Sequence, residues 1–341
     1  MISKKHTGYF LLLGLGLFAA LMINLSLGSV SIPISEILSS LMGHSTEKNE
    51  WHYIVTQFRL PKSLTAVLVG SGLSVCGLLM QTLFRNPLAG PFVLGISSGA
   101  SLGVALLILG ASAFGGIFLS LSGNQMAIAI AGSLGALLVL FAILLISNQI
   151  KNTMAILIIG LMFGSFSGAV ISVLSYFSSA ENLQQYMFWS FGSLGNTNWK
   201  SLGIFFMLYL LGMILVVPTI KSLNTLLLGE NYAKSLGLSI KKTRNQILIL
   251  TSIITGVITA FAGPIAFIGL AVPHIAKLSL QTSNHKILIP AVFFLGAIVM
   301  LLCDTIAQLP NSAYVLPINA VTSLFGAPLV IWLLFRKKRL I

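Results

Sequence analysis

The chain has 341 residues, 56% of them hydrophobic and 7% charged, with a mean hydropathy of +1.00. Soluble domains carry about 25% charged residues, and no water-soluble packing hides this much apolar surface in one chain, which leaves an all-α polytopic membrane protein. The net charge of +13 is therefore a question of topology before it is a question of partners.

At about 20 residues per membrane-spanning helix, the length allows roughly ten spans. The apolar runs place them at about 8–28, 60–82, 92–110, 125–147, 152–176, 199–219, 242–262, 265–278, 286–307 and 314–335, the eighth being short. The first run, Tyr9 to Leu27, is too long for the core of a cleaved leader and lacks a clear small-residue cleavage site. The connection 29–59 carries Glu36, Glu47, Glu50, Trp51, His44 and His52. Its "SVSIPISEIL" reads as a short helix lying at the membrane surface, with Pro33 in the first turn and Glu36 near the positive end of the helix dipole.

After the second span comes "RNPLAGPFVLGISSGASLG", from Arg85 to Gly103. A phosphate-cradling loop would follow a strand, whereas this stretch lies between and within spans. Asn86-Pro87 and Pro91 instead end one helix and start the next. Gly95, Gly99 and Gly103 in the third span, and Gly160, Gly164 and Gly168 in the fifth, recur every four residues. Each set would lie on one helix face, which suits close helix packing or leaves room along a path for a bulky solute. The segment 221–242, "KSLNTLLLGENYAKSLGLSIKK", is too polar to span and too apolar for a plain linker. Leu226, Leu227, Leu228, Tyr232, Ala233, Leu236 and Leu238 give it an apolar surface punctuated by Gly229 and Gly237. Two short amphipathic helices fit it, either lying on the bundle or on lipid, or docking a cytoplasmic partner.

An even number of spans puts both termini on one side. With the N-terminus inside, fifteen of the 19 Lys and Arg residues are cytoplasmic and only Lys48, Arg59, Lys62 and Lys200 are outside. The positive charge is thus a topology signal and not a nucleic-acid footprint.

Catalytic and cofactor motifs are missing. No G-x-x-x-x-G-K-[ST] or H-E-x-x-H occurs, no Cys/His metal cluster occurs, and Cys76 and Cys303 both fall inside predicted spans. His274, in "VPHIAK", reads as a helix-end hydrogen-bonding group. Asp304 is the single carboxylate inside a predicted span; its expected role is structural, capping backbone or pairing with an outer-face Arg or Lys. An ion-coupled transporter normally needs carboxylates or broken helices to hold its ion. The residues therefore describe a transporter with no obvious energy source of its own, with an ion-coupled secondary transporter of a small organic solute as the alternative and a non-transporting sensor or scaffold as a further one.

The block "FRLPKSLTAVLVGSGLSVCGLLMQTLFRNPLAGPFVLGISSGASLG" resembles the signature of the FecCD-type permeases, membrane subunits of importers for iron–siderophore complexes, haem and cobalamin. The resemblance continues through "GSLGNTNW", "LLLGENYAKSLGLSI", "GPIAFIGLAVPHIAKL", "CDTIAQLP" and "LPINAVTSLFGAPLVIWLL", and covers about residues 8 to 335. It implies one transmembrane permease domain over 1–341 with the ten-helix fold of type II ABC importers, in the cytoplasmic (inner) membrane of a bacterium with both termini cytoplasmic. It also implies a second permease subunit, as homodimer or heterodimer, two cytoplasmic ATP-binding subunits and an extracytoplasmic solute-binding protein. The chain would be no enzyme and hold no cofactor or metal, ATP being bound by the partner. Its solute would be an iron chelate, a ferric siderophore first, with haem or cobalamin as the other candidates.

The resemblance also assigns residues. Leu223, Gly229, Glu230, Ala233, Leu236 and Gly237 match the region seated in a cleft on the ATPase. Arg59 and Lys62 match a basic pair that engages the binding protein, with Lys in place of the usual second Arg and hence without its bidentate geometry. A further family Arg aligns with Gln308, and the common "LPIG" reads "LPIN" with Asn319. Asn86 and Leu88 match one inner-gate element, and Asn152 and Thr153 the other.

Overall fold

The computed structural model describes residues 4–111, 115–116, 120–150, 153–310, 312 and 314–337. Among these residues all regular structure is helical. In chain order the α-helices are α1 (Lys4–Ser26), α2 (Ile34–Leu41), α3 (Asn49–Tyr53), α4 (Leu60–Leu83), α5 (Ile96–Ile108), α6 (Gln125–Gln149), α7 (Thr153–Phe177), α8 (Ala180–Ser190), α9 (Trp199–Val216), α10 (Thr219–Leu226), α11 (Glu230–Ser235), α12 (Ile240–Ala262), α13 (Ile268–Leu280), α14 (His285–Ala307) and α15 (Ile318–Lys337). Short polar residues start several of them by accepting backbone N–H bonds: Asn124 from Met126 at 2.9 Å, Asn198 from Ser201 at 2.8 Å and Asn284 from Lys286 at 3.0 Å.

Every predicted apolar run meets a helix. Seven helical stretches are long and apolar enough to cross a membrane, and Ile96–Ile108, Ile268–Leu280 and Ile318–Trp332 are shorter apolar helices. The first two are short because the chain breaks before them. Pro91–Leu94 forms a 3-10 turn and Gly95 takes a left-handed conformation, φ 72°, which glycine adopts without steric cost. Gly95 therefore precedes α5 instead of standing on one helix face with Gly99 and Gly103. Before α13, Gly263 (φ 76°) and Phe267 (φ 66°) interrupt the helix. Asn319 Oδ1 accepts a bond from the Ala266 N–H at 3.1 Å inside that break, so the departure from "LPIG" supplies a polar anchor.

Two further features depart from the sequence reading. The second span begins earlier than residue 60: α3 runs through a π-helical stretch, Ile54–Arg59, straight into α4, giving one 35-residue helix. Helix α8 is new; its signal was present in Ser179, whose hydroxyl accepts from Asn182 N at 3.4 Å, and in Glu181 of the first turn. At the centre of the bundle α4 is buried almost all round. It crosses α14 at Gly70 and Gly296, and α13 at Gly77 and Gly269, in each case so closely that a Cβ on the α4 glycine would overlap the opposing carbonyl oxygen. Lipid tails are as apolar as Leu, so helix association in a membrane depends on this kind of close packing. Large apolar side chains such as Leu12, Phe18, Leu138, Phe166 and Met207 stand on the outside of the bundle.

Candidate functional site

The residues singled out in the sequence fall into three zones. At one end of the bundle, α1, α4 and α14 meet in a polar cluster. Asp304 is buried, and its Oδ1 lies 3.0 Å from Lys62 Nζ. Its Oδ2 accepts from Asn24 Nδ2 at 3.0 Å and from Gln308 Nε2 at 2.8 Å. Asn24 also donates to Thr305 Oγ1 at 3.0 Å and Leu301 O at 3.2 Å, and accepts from Ser63 Oγ at 2.6 Å. A carboxylate taken out of water is tolerated only when paired and hydrogen-bonded, and both conditions are met. The basic partner expected for Asp304 is Lys62.

Arg59 sits beside this cluster but is turned inward. It closes the π-helical stretch, is 8% exposed, and donates from Nη1 to Leu25 O at 2.6 Å and Ser26 O at 3.0 Å, and from Nη2 to Val30 O. The first two carbonyls end α1, where backbone acceptors lack helical partners and a cation is favoured. Gly28 makes room for the guanidinium; a Cβ there would come within 2.8 Å of Arg59 Nη2 and 3.1 Å of Gln308 Oε1. The structure thus gathers Arg59, Lys62 and Gln308 into one place, with their polar groups engaged inside the chain; Lys62 stays 20% exposed. A cavity of about 500 Å³ opens nearby, between α8 and the segment before α15, lined among others by Gln125, Gln185, Trp189 and Asn196.

At the opposite end α4 stops at Leu83, and Arg85 turns the chain with φ 47°. Asn86 Oδ1 accepts from Leu88 N at 2.9 Å, and Asn86 O accepts from Ala89 N at 3.0 Å, which makes a tight turn with Leu88 exposed. Asn152 lies outside the described residues, and so does the side chain of Thr153, the first residue of α7. Arg85 Nη2 donates to Leu226 O at 3.0 Å, tying this turn to the C-terminus of α10. His274 Nδ1 lies 3.2 Å from Leu270 O, within its own helix.

The segment 221–242 folds as the two short helices α10 and α11. Leu223, Leu226 and Ala233 are buried against the bundle, while Leu227, Leu228, Tyr232 and Leu236 are exposed. Gly229 (φ 108°) and Gly237 (φ 82°) make the turns that flank α11, and Glu230 stands in its first turn, where a negative charge suits the helix dipole. The six residues singled out here therefore divide into a foundation (Leu223, Ala233), two turns (Gly229, Gly237) and groups facing outward.

The glycine series also divide. Gly99 and Gly103 face α6, where a Cβ on Gly99 would come 2.6 Å from Gly135 O and one on Gly103 would overlap Ala131 O. Gly95 would meet Gly160 O at 2.6 Å, and Gly160 packs on the Val93–Leu94 turn. A Cβ on Gly164 would lie 3.3 Å from Ser98 Oγ, and Gly168 faces open space. Sequence reasoning missed Asn24, Ser63, Thr82, Asn224 and His285; a lone Asn in the apolar run "LMINLSL" was the readable signal for the first.

Residues 16–336 match the model of the FecCD transport family. The chain is 37% identical over 330 residues to the vitamin B12 import system permease protein BtuC of Klebsiella pneumoniae subsp. pneumoniae, covering 94% of this chain and 92% of that one. It is 36% identical over 325 residues to the hemin transport system permease protein HmuU of Yersinia pestis, covering 95% and 96%. Its structure superposes with a TM-score of 0.84, at 29% identity and 98% and 99% coverage, on a chain described as a metal-chelate type ABC transporter in an inward-facing conformation. With a family model matched over nearly its whole length and relatives above one-third identity end to end, the chain belongs to the FecCD transport family.

Proposed function

We propose that this chain is the permease subunit of an ATP-driven importer that carries a bulky chelated cofactor or metal inward across a bacterial cytoplasmic membrane. A ferric siderophore, haem and a cobalamin form the substrate class; the relatives' names give vitamin B12 and hemin, and the structural neighbour is of metal-chelate type. The observation that carries the reading is the construction of the segment 221–242. Four large apolar side chains, Leu227, Leu228, Tyr232 and Leu236, are exposed on α11 and the turns that flank it, while Leu223 and Leu226 of α10 and Ala233 of α11 are buried in the bundle. That is a rigidly mounted apolar knob, suited to a partner's pocket, in a chain with no nucleotide-binding loop of its own. The partner is a cytoplasmic ATP-binding subunit, two copies serving a pair of permease subunits. The three shorter apolar helices complete ten crossings, with both termini cytoplasmic as the charge distribution requires. The loaded binding protein docks at the outer mouth, where Lys62 is the basic group nearest to solvent in the polar cluster. The chain itself holds no cofactor.

The alternative, coupling to an ion gradient, is disfavoured by Asp304. Its two oxygens are occupied by Lys62, Asn24 and Gln308, which leaves little scope for it to bind and release an ion. To test the proposal, Leu236→Asp is introduced and ATPase co-purification measured. Placing a charge in a desolvated partner pocket is expected to cost binding about 30-fold or more, the threshold of an interface hot spot. Undiminished co-purification would remove the knob from the interface.

A further inference from the structure

The exposed knob explains how the segment 221–242 would meet a partner, but not how its movement would reach the bundle. Its apolar foundation is non-directional and lets helices slide. Two residues of α10 make directional attachments: Leu226 O accepts from Arg85 Nη2 in the turn after α4, and Asn224 reaches α14. Asn224 Oδ1 accepts from the backbone N–H of His285 at 2.8 Å, and His285 Nδ1 lies 2.8 Å from the same oxygen. Asn224 Nδ2 donates to Asn284 Oδ1 at 3.0 Å, the atom that also caps α14 through Lys286 N. On the other side of its ring, His285 Nε2 is 2.8 Å from Thr82 Oγ1, near the inner end of α4. His285 is 1% exposed.

The geometry fixes the roles. Asn284 Oδ1 is an acceptor because it caps a helix, so the group facing it is the Asn224 amide nitrogen, and Asn224 Oδ1 faces His285. An oxygen has no proton to give, so Nδ1 of His285 carries the hydrogen of that bond. The node therefore joins three helices at once: α10 through Asn224, α14 through Asn284 and His285, and α4 through Thr82. The last two are themselves fastened along their length. Gly70 and Gly296 bring their backbones into contact midway, and Lys62 and Asp304 pair at the outer end.

We propose that Asn224 and His285 are positioning residues that rivet the coupling segment to the α4–α14 pair. A displacement of the segment is then delivered to these two helices as one unit and arrives at the outer polar cluster around Lys62 and Asp304. The inference rests on the coupling reading of the preceding section.

The test uses the whole assembly, the chain with its ATPase and binding protein in proteoliposomes, and reads chelate transported per ATP hydrolysed. Asn224→Ala and His285→Ala are each expected to lower that ratio about fivefold or more, the lower end of measured coupling energies. ATPase co-purification should be unchanged and the double variant no worse than the weaker single one. Asn224→Asp keeps an acceptor for both His285 donors but loses the donor to Asn284 Oδ1, so it should retain only part of the ratio, more than Asn224→Ala. If His285→Ala fails to fold, Asn224→Ala, at a half-exposed position, carries the test alone. An unchanged ratio in folded Asn224→Ala, or losses that multiply in the double variant, would overturn the rivet. If the wild-type assembly shows no ATP-driven uptake, the functional reading fails and takes this inference with it; if the wild type transports and the variants do too, only the rivet fails.

Discussion

Replacing Lys62 with Ala is expected to lower the stability of the folded chain by about 2–3 kcal/mol, read as a fall in the thermal or denaturant midpoint in detergent. Removing one partner of a buried ion pair costs about 3–5 kcal/mol because the other charge is left uncompensated; the 20% exposure of the Lys62 side chain reduces this, since water can partly replace it. Asp304 would keep Asn24 Nδ2 and Gln308 Nε2 as donors, but these carry no positive charge. The Lys62→Met, Asp304→Asn double variant should lose clearly less than the sum of the two singles, because neither charge then remains. An Asp304→Asn chain that kept full stability and lost only transport would point the other way, to an ion-coupling carboxylate.

The second large effect is expected at the α4–α14 crossing. Gly70→Val should prevent accumulation of folded protein in the membrane. A Cβ at residue 70 would overlap Gly296 O and lie 2.5 Å from Met300 Cβ and 2.8 Å from Gly296 C. Two of the three obstacles are backbone atoms, so no rotamer change relieves them, and the cost exceeds the ~1–3 kcal/mol of ordinary overpacking. Ser74 Oγ donates to Gly70 O at 2.7 Å in the same place, and a Cβ on Gly296 would also overlap Ser74 Oγ and Gly70 O. The check is the yield of monodisperse protein by size-exclusion chromatography. Gly168→Val, at a glycine facing open space on α7, is the matched control and should accumulate normally; equal yields from both would contradict the packing account.

The positions of the apolar helices were legible in the sequence because hydropathy runs of span length have few other interpretations. The break before α5 was legible in part: Pro91 and the Asn86-Pro87 pair marked it, but the left-handed backbone at Gly95 did not show in a four-residue glycine spacing that reads as a helix face. Within that spacing Gly99 and Gly168 look alike, yet one is wedged against Gly135 and the other is open. A helix face can be read from periodicity; what lies opposite it is a tertiary fact. The same limit governs the polar cluster of α1, α4 and α14. Arg59 and Lys62 are three residues apart in "RLPK", which says nothing of Leu25 O or Asp304, 34 residues before Arg59 and on α14. The π-helical stretch that ends at Arg59 has no distinctive composition. In the segment 221–242 the apolar content was plain, but its division into buried Leu223 and Ala233 and exposed Leu236 required the bundle.

The proposed activity of this chain is inward movement of a chelate on energy supplied by a partner ATPase. It is tested most directly by uptake of a labelled ferric siderophore, haem and cobalamin into proteoliposomes holding the chain, its ATPase and its binding protein. Accumulation of at least one of these is predicted to require ATP, to persist in a protonophore and to be lost with Leu236→Asp. Accumulation without ATP that collapses with the protonophore would contradict the account.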